Sequence, residues 1–162
     1  MNTHQTLQQA LEFSTYVVLA YIDDLTDDEL LTRPGTGCNH LAWQLGHVLA
    51  SGYSLLNLIK EGSVKTPFDL EGKYTKETSS LDDPASFLTK QAYRDHFQAL
   101  NAKILETLGT LSDEDFDLPA PERIRSLCPT LGSVAILMVQ HPMMHAGQFV
   151  PVRRQLGKPV II

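Results

Sequence analysis

Apolar residues recur every three or four positions in four stretches of the chain, and this spacing is typical of amphipathic helices. The four stretches are Thr3–Asp23, Asn39–Ile59, Pro84–Leu108 and Leu131–Leu156. The candidate N-cap residues are Asn39 at the start of the second stretch, Asp83 before the third and Thr130 before the fourth, because a short polar side chain can accept a hydrogen bond from a free backbone N–H. Gly157 and Pro159 follow the fourth stretch as a stop signal. Strand patterns are weak throughout, so we predict an all-α fold.

The connections between these helices differ in length. From Glu61 to Asp83 the chain is polar, contains glycine and proline, and has no clear period. Such a long link is expected to cross the bundle and not to form a tight turn. Two shorter segments, Leu25–Leu30 and Leu111–Phe116, follow the first and third helices with similar acidic capping patterns. Two explanations are equally good. One is an internal duplication of a helix pair, and the other is the chance recurrence of a common helix-start pattern.

The size and composition of the chain indicate one ordinary globular domain over residues 1–162, with 43% hydrophobic and 20% charged residues. The formal net charge of -6 argues against nucleic acid as a partner, because phosphate binding needs a basic surface. No stretch has the length and apolarity of a membrane span, and residues 1–9 lack a signal-peptide pattern. We therefore expect a cytoplasmic protein that does not bind membranes. Cys38 and Cys128 are expected to be reduced thiols, with a disulfide as the alternative.

His141 and His145 are the most informative pair in the fourth helix. Residues four positions apart project from the same helix face, and these two fill gaps in the apolar stripe, so both should face the core. Neutral imidazole is a common ligand of divalent transition metals. A pair alone leaves two interpretations open, metal ligands or core histidines with hydrogen-bonding partners, because a metal site needs a third ligand. Pro142 and Pro151 are expected to bend this helix.

His47 is the best-placed candidate for a third ligand. It lies in the middle of the second helix, one turn after Trp43 and next to Gly46, where the missing side chain lets a ligand or another backbone approach. Alone, a histidine at such a position is more often a core or surface residue. The remaining histidines are less suitable. His4 lies at the frayed N-terminus, His40 lies at a helix start that is expected to meet solvent, and His96 lies on the flank of an apolar stripe.

Three segments together resemble the DinB/YfiT-like superfamily of metalloenzymes. They are Trp43-x-x-Gly46-His47, His141-x-x-x-His145-Ala-Gly-Gln148 and Arg153-Arg154-Gln-Leu-Gly-Lys-Pro159. The resemblance covers nearly the whole chain and implies a four-helix bundle in up-down-down-up order, with the long crossover between helices two and three. It also implies one divalent metal held by His47, His141 and His145. Pro142, which lies between His141 and His145, departs from the family pattern. It affects the expected geometry of these ligands more than their identity.

The implied ligand set has chemical consequences. Three neutral imidazoles leave a divalent ion with open coordination positions, as in catalytic zinc sites, and the ion keeps its charge to acidify a bound water or thiol. The sequence identifies no catalytic side chain. The candidate nucleophile is the water or thiol that the metal activates. Gln148 is the candidate to orient His145 by a hydrogen bond, or else a polar residue at the end of the bundle. Arg153 and Arg154 are expected to form a solvated basic helix end, with attraction of an anionic substrate as the alternative.

The resemblance suggests an enzyme that uses this metal to activate water or a low-molecular-weight thiol against a small-molecule electrophile, as a hydrolase or an S-transferase. Zinc and nickel both suit imidazole ligands. The alternative is a non-catalytic, metal-stabilised stress or interaction module. A homodimer is compatible with an apolar bundle face, although nothing in the sequence requires one.

Overall fold

Four long helices form a bundle in the computed structural model of the protein, which describes residues 1–161. The helices are α1 (Thr3–Ile22), α2 (Leu41–Ile59), α3 (Lys90–Leu108), a short α4 (Glu122–Arg125) and α5 (Leu131–Gln155). The described residues contain no strand and only one isolated bridge, so the all-α prediction is confirmed. Within the same residues, every helix is too short or too polar to cross a lipid bilayer.

Contacts at the helix ends give the helix directions. Near the end of α5, the Arg153 guanidinium donates to the carbonyl of Tyr21 at the end of α1 over 2.7 Å, so these two helices are parallel. The ends of α2 and α3 also meet, because Lys60 Nζ donates to Thr110 Oγ1 over 3.1 Å. His4, near the start of α1, lies 3.1 Å from the carbonyl of Leu108 at the end of α3. The bundle is therefore up-down-down-up, as predicted.

The apolar stripes of the long helices meet in a single core. Its largest fully buried apolar side chains are Tyr93, Phe97, Phe149, Ile22, Leu25, Leu30, Leu41, Leu45, Leu49, Leu56 and Leu70. The crossover between α2 and α3 joins this core through the buried side chains of Leu70 and Tyr74. Tyr74 Oη lies 3.0 Å from Tyr93 Oη, which ties the crossover to α3. The crossover is thus a packed cover over one side of the bundle.

Two helix starts differ from the prediction. The N-cap of α2 is His40 and not Asn39, because the His40 ring accepts a hydrogen bond from the Trp43 N–H over 3.0 Å. His40 is fully buried, so the expectation that it meets solvent is wrong. Asp83 caps only a short 3-10 turn that ends before Phe87, where the backbone is extended. Helix α3 therefore begins later, after its N-cap Thr89.

Helix α5 is continuous through both of its prolines, Pro142 and Pro151, and its N-cap is Thr130, as predicted. The sequence pattern did not reveal α4, a single turn closed by hydrogen bonds from the Leu127 and Cys128 N–H groups to the Ile124 carbonyl. Cys128 is buried and Cys38 is half-buried, and the two are not joined to each other.

The basic end of α5 is not simply solvated. Arg154 is exposed, but Arg153 has an exposed fraction of 0%. Its guanidinium donates to both carboxylate oxygens of Asp24, over 2.6 and 3.1 Å, and to two backbone carbonyls. The prediction of a solvated helix end is therefore wrong for Arg153, whose partner lies at the opposite end of the sequence.

Candidate metal centre

Three histidine side chains from two antiparallel helices converge inside the bundle. His47 comes from α2, and His141 and His145 come from successive turns of α5. One ring nitrogen of each lies within 4.8 Å of the other two. The closest pair is His141 Nε2 and His145 Nε2, 3.1 Å apart. The structure therefore brings together the three residues that the resemblance implied, and they form a possible metal site.

The tautomer of His145 is determined by Gln44. The amide nitrogen of Gln44 donates to the carbonyl of Asn39 over 2.7 Å, so its oxygen must point the other way. That oxygen lies 2.9 Å from His145 Nδ1, which therefore carries the proton. The Nε2 atom of His145 is then unprotonated, and in this structure it accepts a hydrogen bond from His141 Nε2 over 3.1 Å. A hydrogen bond like that from Nδ1 to Gln44 is the usual way in which a metal-binding imidazole is oriented.

The His47 ring is held in place from two sides. The indole of Trp43 stacks on it, with ring centroids 4.9 Å apart and an interplanar angle of 9°. The backbone of Tyr74 in the crossover hydrogen-bonds to it. Tyr74 can approach only because residue 46 is glycine, since a Cβ on Gly46 would lie 2.0 Å from the Tyr74 ring. The close approach expected at Gly46 is thus made by the crossover.

Burial keeps the three imidazoles neutral. Loss of water around the ring, and secondly the neighbouring His47 ring, lower the pKa of His141 to about 4. The pKa of His145 is likewise lowered to about 4, by burial first and then by His141 and His47. Burial also lowers the pKa of His47, against the opposing effect of its hydrogen bond with Tyr74. Neutral imidazole is the form that binds a metal.

The metal-free protein should lose stability as the pH falls from about 6.5 to about 4. The ordinary histidine pKa is 6.5, whereas those of folded His141 and His145 are about 4. Between these values the unfolded chain takes up protons that the folded chain does not, so the free energy of unfolding decreases on acidification and is constant above this window. Urea unfolding at several pH values, in the presence of a chelator, measures the slope. The double variant His141→Gln/His145→Gln should have a flatter slope, and an unchanged slope would contradict this assignment.

The donor set fits a divalent transition metal. Two nitrogens bound to one tetrahedral zinc ion at about 2.0–2.1 Å lie roughly 3.3 Å apart, close to the 3.1 Å between the Nε2 atoms of His141 and His145. The third nitrogen, from His47, lies within 4.8 Å of both. Three nitrogens and no carboxylate favour metals that prefer imidazole over calcium or magnesium.

An open cavity of about 510 Å³ adjoins His47 and His141. Its walls are mainly apolar and come from α2, α5 and the region of α4; they comprise Leu55, Leu58, Ile124, Leu127, Leu137 and Met144. The polar groups are Ser51, Ser54 and Arg123, and no aspartate or glutamate of the described chain lines it. The volume is within the usual range for a small-molecule site. The imidazoles of His47 and His141 are thus accessible from a cavity that can hold an apolar molecule.

The sequence did not identify every residue at this site. Gln148 is exposed on α5, whereas the hydrogen bond to His145 comes from Gln44. Gln44 could have been recognised as a polar residue on the apolar face of α2, because a buried amide needs hydrogen-bonding partners. The contributions of Tyr74 and Arg123 come from segments without helical periodicity, and the sequence contained no signal for them. His4, His40 and His96 lie outside the cluster and have other partners.

The family model of the DinB superfamily matches residues 10–149. Among solved structures, the chain is similar to a conserved protein from Enterococcus faecalis, with 18% identity over 98% of this chain and 99% of that chain, and a TM-score of 0.74. A DinB-like protein from Bacillus cereus has 19% identity, coverage of 98% and 95%, and a TM-score of 0.68. YfiT from Bacillus subtilis has 21% identity, coverage of 96% and 89%, and a TM-score of 0.64.

YfiT is described as a probable metal-dependent hydrolase with an unusual four-helix bundle topology. At these identities, the three structures establish a shared fold. Among curated proteins, none matches this chain. Because the family match spans most of the chain, the protein belongs to the DinB superfamily.

Proposed function

We propose that the protein is a metal-dependent enzyme that activates water or a low-molecular-weight thiol against an electrophilic small molecule. The observation that carries this proposal is the convergence of three neutral imidazole nitrogens within 4.8 Å beside an open apolar cavity. A structural zinc site is usually closed by four protein ligands, whereas a catalytic site has three and keeps a position open. The description of YfiT as a probable metal-dependent hydrolase also supports the proposal.

His47, His141 and His145 would hold the ion, with zinc and nickel as the favoured metals. When bound, the ion would supply Lewis acidity that favours deprotonation of the nucleophile and polarises the electrophile. Gln44 keeps the proton of His145 on Nδ1, away from the site, so that Nε2 remains a donor. Trp43 and Tyr74 hold the His47 ring in one orientation.

The cavity walls determine what reaches the site. The leucines and Met144 exclude water from the apolar part of a substrate, which lowers the free energy of binding in proportion to the area buried. Since no carboxylate of the described chain lines the cavity, no side chain is available there as a strong general base. The nucleophile's proton would pass to solvent or to the leaving group. Hydrolysis then forms a carbon–oxygen bond and S-transfer a carbon–sulfur bond, and the leaving group departs with the electron pair.

The test combines metal analysis with turnover. Protein purified without a histidine tag should contain about one equivalent of a transition metal per chain, as a three-ligand site predicts. Turnover should be measured on a panel of esters, and on chlorinated and epoxide electrophiles with a bacterial thiol. Chelation should abolish it, and zinc or nickel should restore it. If metal only raises the melting temperature and no substrate is consumed, the site stabilises a non-catalytic module and the proposal is wrong.

A further inference from the structure

The cavity beside the metal centre has an uneven charge distribution. Of the described residues that line it, only Arg123 carries a permanent charge, and none is acidic. The cavity therefore presents a cationic group together with an apolar wall, which disfavours cationic molecules and favours anionic ones.

Arg123 lies far from the imidazoles along the cavity. Five residues of α2 line the cavity, at spacings that place them on one side of the helix: His47, Ser51, Ser54, Leu55 and Leu58. They lie on one face of α2, and the distance from His47 to Leu58 along the helix axis is about 16 Å. Arg123 and Leu58 also line a neighbouring cavity with Glu61 and Gly62, which follow the end of α2. The guanidinium is thus near the end of α2 opposite to His47.

The guanidinium of Arg123 is available to a ligand. Within the described part of the chain it has no hydrogen bond or ion pair, not even with Glu61 across the neighbouring cavity. Arg125, two positions later, is different, because its Nε donates to the carbonyl of Ala120 over 2.8 Å. The turn of α4 that carries Arg123 is itself held by hydrogen bonds from the Leu127 and Cys128 N–H groups to Ile124. A planar guanidinium can form two parallel hydrogen bonds with one carboxylate.

We infer that the substrate of this site is an amphiphilic carboxylate, whose apolar body lies along α2 and whose carboxylate is bound by Arg123. The reacting group would then be at the opposite end, beside His47 and His141. The inference rests on the proposed function only in treating this cavity as the substrate site. Arg123 is on this view a residue that determines specificity and takes no part in the chemistry.

Binding to the metal-free protein tests the inference separately from turnover. Octanoate, octanamide and octylamine have the same apolar chain and differ in the charge of the head group. Isothermal titration calorimetry in the presence of a chelator should show that octanoate binds most tightly, about fivefold more tightly than octanamide, as expected for an exposed ion pair of up to about 1 kcal/mol.

Three variants complete the test. Arg123→Gln should reduce the affinity for octanoate to that for octanamide and leave octanamide binding unchanged, whereas Arg123→Lys should retain most of the preference. Arg154→Gln, which removes an exposed arginine outside the cavity, is the matched control and should have no effect. The inference is overturned if octanoate does not bind, if it binds no better than octanamide, or if Arg123→Gln weakens both ligands equally. Metal-dependent turnover of uncharged substrates would remain possible in each of these cases, so the two proposals fail separately.

Discussion

The substitution His145→Ala is expected to remove bound metal and metal-dependent turnover. It deletes one of three donors and the imidazole that lies 3.1 Å from its neighbour His141. The loss of metal affinity should exceed the roughly 10–100-fold that is typical when only a residue that orients a ligand is removed. Metal content by mass spectrometry and the rate on the best substrate of the panel measure the two effects.

The variant Gln44→Leu should weaken metal binding less than His145→Ala does. Gln44→Leu keeps all three donors but removes the oxygen that accepts from His145 Nδ1. It should weaken metal binding by about 10–100-fold without abolishing it. His96→Gln is the control, because His96 pairs with Asp69 outside the cluster. Equal metal content and rate in wild type and His145→Ala, with both proteins folded by circular dichroism, would rule out this centre as the site of activity.

The substitution Arg153→Met is expected to lower the free energy of unfolding by about 3 kcal/mol, since breaking a buried ion pair typically costs about 3–5 kcal/mol. The lower end applies because the side chain of Asp24 is 49% exposed. Removal of the guanidinium also removes the hydrogen bonds that it donates to the carbonyls of Tyr21 and Pro159. The melting temperature should fall by roughly 6–12 °C for a domain of this size.

The neighbouring arginine provides the matched control. Arg154 is exposed, and Arg154→Gln should change the free energy of unfolding by less than about 0.5 kcal/mol. Asp24→Asn should destabilise the protein nearly as much as Arg153→Met, because it leaves the buried guanidinium without its counter-charge. Similar urea midpoints for Arg153→Met and Arg154→Gln would show that the buried pair contributes little to stability.

The sequence was sufficient to predict the bundle, because the helices carry the information in their own periodicity. The pattern located all four long helices, and the order of short motifs indicated the topology through a family resemblance. Helix α4 and the late start of α3 were missed, since a four-residue turn has no period and Asp83 caps a 3-10 turn as well as it would cap a helix. Tertiary packing determines whether Asp83 or Thr89 caps the start of α3.

The site was predictable to the extent that its residues lie on those helices. His47, His141 and His145 could be named, but the partner of each ring depends on contacts between segments that are distant in sequence. Gln44 reaches α5, and Tyr74 reaches α2 from the crossover, where no periodic pattern indicates which residue turns inward. For the same reason, Arg153 was assigned to solvent, although its partner Asp24 lies just beyond α1.

The three histidines come from opposite halves of the chain, and this has a consequence for folding. A nascent chain that ends before α5 has only one of the donors, so it cannot form the site. An ion that binds the native state but not the unfolded one would shift the folding equilibrium in proportion to the logarithm of its free concentration. Metal availability would then affect the fraction of the protein that is folded, as well as the occupancy of the three-histidine cluster.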